Sequence, residues 1–130
     1  MDVGVQCLYC HSNALRGQSA GLPTIFKCMD CHQQMEPKTD GEKQLQLAEY
    51  AVSGQPVKWV PVAIQPNFVY FSHRVHLAGG VNCETCHGEV GKMTVARPVV
   101  TQNMGWCLSC HKNLDSEHFV KLFNCATCHK

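Results

Sequence analysis

Five short stretches of this chain repeat one chemical pattern: "CLYCH" at 7–11, "CMDCH" at 28–32, "CETCH" at 83–87, "CLSCH" at 107–111 and "CATCH" at 125–129. All ten cysteines belong to these pairs: Cys7 and Cys10, Cys28 and Cys31, Cys83 and Cys86, Cys107 and Cys110, Cys125 and Cys128. The next residue is each time a histidine (His11, His32, His87, His111 and His129) in a chain with only eight. At that frequency five successive hits would arise by chance about once in a million, so the histidine belongs to the motif.

Two thiols about one turn apart can form thioethers to the two vinyl groups of a haem, and the following histidine then lies beneath the iron as its proximal ligand. The expectation is therefore five covalently bound c-type haems. Disulfides within C-x-x-C would close only tiny strained rings and staple nothing distant. Zinc ribbons combine such pairs two at a time, which five pairs do not allow, and an all-cysteine site has no use for the recurring histidine. A thioredoxin-like redox pair would be single and would sit after a strand.

At 130 residues, 14.5 kDa and 8% aromatics the chain has material for one modest domain, so five apolar porphyrin plates would form most of its core. The expected fold is mostly irregular, with short α-helices, a haem-packed core and little sheet. The formal charge of +1 carries no basic stripe suited to nucleic acid. Ten propionates, if all ionised, would take the holoprotein to about −9 and favour basic partners in solution. No apolar run approaches the roughly 18 residues of a membrane span. The opening "MDVGVQCLYC" has neither a charged n-region nor an apolar h-region, although haem is attached to such motifs outside the bacterial cytoplasmic membrane. An incomplete amino end is the expectation.

The elements that must position these motifs fall into a two-haem group (1–38), a linker with a helix (39–72) and a three-haem group (73–130), all within one domain, 1–130. In "TDGEKQLQLAEYAVSGQP" Thr39 and Glu42 form a capping box, Leu45, Ala48 and Ala51/Val52 follow at helical spacing, and Gly54 and Pro56 stop the run, which predicts a helix over about 40–53. "VKWVPVAIQPNFVYF" at 57–71 is β-branched and aromatic but broken by Pro61 and Pro66, so extended segments lying across haem faces are expected. Trp59 and Trp106 read as core packing rather than electron relays.

Three histidines remain. His73 and His76, three apart in "FSHRVHLAGGVNCETCH", are candidates for distal ligands to two neighbouring irons. His118, in "DSEHFVKLFNCATCH", competes with Met104, in "QNMGWCLSCH", for a third; a thioether there would raise the potential relative to imidazole. The first two haems are then short of ligands, with Met29 and Met35 as local substitutes. An upstream segment, a partner subunit or an open iron would complete the count.

The run "FSHRVHLAGGVNCETCHGEV" resembles the F-x-H-x-x-H … C-x-x-C-H signature of class III cytochromes, the tetrahaem c3 and trihaem c7 group. With "CLYCHSNA", "FKCMDCH", "VKWVPVAIQPNFVYFSH", "MGWCLSCH" and "CATCHK", nearly the whole chain is similar to the pentahaem cytochrome subunits of alternative complex III, a bacterial quinol oxidoreductase. That resemblance implies His73 paired with His87, His76 with His111, and Met104 rather than His118 opposite His129. It implies electron transfer rather than substrate catalysis in this chain. The implied partners are an iron-sulfur subunit, a monohaem cytochrome c and integral membrane quinol-binding subunits, at the periplasmic face of the cytoplasmic membrane, with membrane association through partners or an amino-terminal anchor. Family members also carry an earlier F-x-H-x-x-H box and a membrane or signal segment, both missing before Met1. The competing readings are a free periplasmic or extracellular c7-type wire and, behind it, a multihaem reductase subunit.

Overall fold

A computed structural model describes residues 4–40, 43, 46–114 and 116–130. Short helices dominate: α1 (Cys7–Cys10), α2 (Ile25–His32), α3 (Leu47–Ser53), α4 (His73–Ala78), α5 (Cys83–His87), α6 (Met104–His111), α7 (Ser116–Leu122) and α8 (Cys125–Cys128), with 3-10 turns at Ser12–Leu15 and Val90–Lys92. The expected class is therefore found: small, helical and irregular. Among the described residues the only sheet-like pairing is an isolated antiparallel bridge between Val69 and His129, and no helix is long and apolar enough to cross a membrane.

Each motif is built on a helical turn. In α1, α5 and α8 the first cysteine opens the helix; in α2 and α6 the motif histidine closes it. A helical C-x-x-C brings its two thiols to one face, because residues three apart are neighbours on the helix surface, and the next residue follows just past them. Asparagines start two of these turns: the side-chain oxygen of Asn103 accepts from Trp106 N at 2.9 Å and that of Asn124 from Ala126 N at 2.9 Å. Gly88 lets the chain leave α5 directly after His87. Its φ of +68° lies in the left-handed region, and a Cβ there would meet Val99 Cγ1 at 2.7 Å.

The helix predicted over 40–53 is interrupted rather than continuous: Asp40 and Lys43 are helical, with Lys43 N donating to Thr39 O at 3.0 Å. Gln46, at φ 46° and ψ 41°, is left-handed and interrupts the α-helical hydrogen-bond ladder, so α3 begins at Leu47. Glu42 and Leu45 lie outside the described residues. The stop is as expected: Gly54 adopts φ 66° and donates its N–H to Tyr50 O at 3.0 Å. Helix α3 packs on α2, while residues 57–71, irregular and turned where Val69 N donates to Pro66 O at 2.8 Å, reach α8, where Tyr70 N donates to Cys128 O at 2.6 Å.

The core differs most from an ordinary domain. Among the described residues only Ala14 and Ile25 are buried hydrophobics, whereas Phe26, Phe68, Val60, Ile64, Val95 and Val120 are more than 60% exposed. Trp59, expected in the core, is 46% exposed. The polypeptide encloses very little of itself, so such a residue has no protein interior to enter.

Candidate metal centres

Helix α4 carries His73 and His76 at a spacing of three, and the fold delivers each ring to a different motif. His73 faces His87, with ring centres 6.3 Å apart and planes within 6° of parallel. His76 faces His111 at 6.1 Å and 28°. A metal bonded to one nitrogen of each ring, at about 2 Å per bond with ring radii of about 1.1 Å, requires about 6.2 Å between ring centres. Both pairs fit an iron between them, and the 28° is a twist that linear ligation tolerates.

Tautomers support the same use. The Nδ1 of His73 lies against Gln18 O, that of His76 against Ser72 O at 2.8 Å, and that of His11 against Gly21 O at 2.7 Å. A carbonyl only accepts, so each Nδ1 carries the proton and the Nε2 lone pair remains available to a metal. The buried Nδ1 of His111 has no hydrogen-bond partner. Burial lowers the proton affinity of His87, with His73 and then His11 adding to the effect; burial followed by His76 does the same at His111. Neutral imidazole is the form that ligates.

Phe71 stands beside both α4 imidazoles, edge-on to His73 at 4.8 Å and stacked on His76 at 4.5 Å and 30°. Its ring fixes their mutual orientation. Motif reading alone did not assign this packing role, although Phe71 opens the F-x-H-x-x-H signature. At the carboxyl end, Phe68 stacks on His129 at 5.9 Å and 29°, a contact with no short-range signal because 61 residues separate the two. Of the two rivals for that iron, Met104 is the first residue of α6 and 63% exposed, and His118 is exposed on α7.

The thiols are unpaired and lie at or near the surface. Burial is the main cause raising the Cys28, Cys83, Cys86 and Cys107 thiols, reinforced by nearby thiols of other motifs: Cys10 acts on Cys28, Cys7 on Cys83, Cys110 on Cys86, and Cys128 on Cys107. Beside Cys10 a hollow of about 260 Å³ is lined by Tyr9, Asn13, Leu22 and Lys27. Among the described residues no three His, Cys, Asp or Glu side chains converge on one point as a zinc ion would require. The convergences present are imidazole pairs, with thiols on adjacent helical turns, and these suit a metal supplied with its own equatorial ring.

The model for cytochrome c7 and related cytochrome c matches residues 69–130, from just before Phe71 to the end of the fifth motif. The chain belongs to the multihaem c-type cytochromes of this class III-like kind and transfers electrons through covalently bound c-type haems. One relative, the "Menaquinone reductase, multiheme cytochrome c subunit" of Nitratidesulfovibrio vulgaris, is 33% identical over 150 residues, covering 99% of this chain and 71% of the relative.

Proposed function

We propose that this chain is a pentahaem electron-transfer subunit of a quinone-linked membrane oxidoreductase of the alternative complex III kind, at the periplasmic face of the cytoplasmic membrane. The observation that carries the electron-transfer role is the pair of crossed imidazole couples, His73 with His87 and His76 with His111, at the spacing of two-sided ligation. Two-sided ligation leaves no position for a substrate. The quinone link rests on the relative, a menaquinone reductase subunit.

Haem iron supplies one-electron chemistry when bound. The cysteine pairs would hold the macrocycles, and His11, His32, His87, His111 and His129 would ligate from the proximal side. His73 and His76 would serve the third and fourth motifs as further ligands, and Met104, with His118 as its rival, would serve the fifth. Backbone carbonyls at Gln18 and Ser72 lock the distal rings with Nε2 outward. Phe71 packs against both rings and holds their relative orientation. Exposed apolar side chains such as Phe26, Phe68 and Ile64 would cover porphyrin faces and set potentials through burial.

Partners of this reading are an iron-sulfur subunit, a monohaem cytochrome c and integral membrane quinol-binding subunits, with electrons passing from quinol toward a downstream cytochrome or oxidase. The relative, a menaquinone reductase subunit, favours a second direction, toward menaquinone. Purification of the native protein from membranes in mild detergent, followed by mass spectrometry of what accompanies it, tests the assignment. Co-purifying iron-sulfur and polytopic subunits are expected. Recovery as an isolated soluble multihaem protein would replace this reading with a free c7-type wire, and electron flow on adding quinol or menaquinone to the intact complex separates the two directions.

A further inference from the structure

The chain's own contacts connect its motifs in an order different from that of the sequence. The first and second motifs meet through residues inside them: Tyr9 Oη donates to the Asp30 carboxylate at 3.3 Å, and Lys27 Nζ, paired with Asp30 at 3.2 Å, sits 3.7 Å over the Tyr9 ring. The first motif also meets the third. The Cys7 thiol lies near enough to help raise that of Cys83, and the 17–21 loop holds His11 through Gly21 O and His73, the partner of His87, through Gln18 O. Backbone bonds from His73 N to Gln18 O (3.1 Å) and Arg74 N to Gly17 O (3.3 Å) fasten that loop to α4.

The third and fourth motifs are tied by α4, which faces His87 with one ring and His111 with the other, and by Gln102, which donates to Cys86 O at 3.2 Å. Gln102 also accepts from Gln65 at 3.2 Å, the 65–70 segment lies along the fifth motif through Phe68, Val69 and Tyr70, and Cys128 of that motif lies near enough to act on Cys107 of the fourth. The linker fits this layout. It begins with α3 packed on α2, which contains the second motif, reaches the fifth motif at Phe68, and turns back to the middle at α4. Extended, residues 54–68 reach at most about 50 Å.

We propose that the five attachment motifs lie in a line in the order second, first, third, fourth, fifth, which makes the second and fifth motifs the two ends at which electrons are exchanged with partners. The amino-terminal pair is thus reversed relative to the sequence, and the first motif is internal. This rests on the multihaem reading above.

The test is an experimental structure of the purified holoprotein or its complex in which the five iron positions are located, with each iron assigned by its cysteine pair. The iron of the first motif is expected to have two near neighbours, those of the second and third motifs, and the second-motif iron only one. Nearest-neighbour contact between the second- and third-motif irons, with the first at an end, would overturn the order. A haem count by the pyridine haemochrome assay reports on the multihaem reading separately: five haems in a different order sinks this inference alone, and fewer than five sinks the pentahaem reading itself.

Discussion

His73 and His87 lie fourteen residues apart in the chain, yet their imidazoles face one another at 6.3 Å within 6° of parallel. The tight turn at Gly79 and Gly80, which separates α4 from α5, folds the first ring back onto the motif that follows it. His76, one turn further along the same helix, misses that motif and meets the next one.

Substituting His76→Met should raise the potential of one haem by on the order of 100 mV, since thioether ligation favours the ferrous state relative to imidazole. The haem count should be unchanged. A potentiometric titration superimposable on the wild type would remove His76 from the ligand set.

The fifth iron separates Met104 from His118. With Met104 as ligand, Met104→Leu converts one haem to a high-spin form that binds carbon monoxide when reduced, and His118→Gln leaves all haems low-spin. The opposite pair of spectra would assign His118.

Phe71→Leu removes a ring that touches two distal ligands. The stability loss should be modest, about 1 kcal/mol for a hydrophobic exchange at a half-buried position. Electron paramagnetic resonance should nevertheless show altered signals from two haems, and a change confined to one or none would deny Phe71 its orienting role.

Gly88→Ala should disturb the third motif selectively. The new methyl group would sit at φ 68° and 2.7 Å from Val99 Cγ1, two penalties at one position, together costing about 2–3 kcal/mol. Lowered recovery of fully loaded protein is expected, with partial rescue by Val99→Ala, which clears the clash and leaves the backbone strain; full loading of Gly88→Ala alone would contradict the packing described.

The chemistry was legible in the sequence because C-x-x-C-H is a local device: thiols and histidine lie on one turn, and no tertiary information is needed to see it. The stop at Gly54 was legible for the same reason. The break before α3 was not, because the left-handed Gln46 belongs to a residue type that rarely adopts that conformation. Nor was the exposure of Trp59, since core expectations assume that protein packs on protein. The contacts of Phe68 with His129 and of Tyr9 with Asp30 connect distant segments, and no periodicity encodes them.

Burial limited to Ala14 and Ile25 among the described hydrophobics bears on biogenesis. A polypeptide that covers so little of its own apolar surface gains too little to offset its conformational entropy, so the newly made chain has no stable shape to adopt by itself. Thioether formation must then come before folding, and the attachment machinery meets a flexible strand rather than a finished scaffold. Each macrocycle added supplies a surface on which the next segment can settle, and a strand left short by one would stay open to proteases. In the pentahaem reading the ten cysteines would thus act as a checkpoint in maturation as well as anchors in the mature protein.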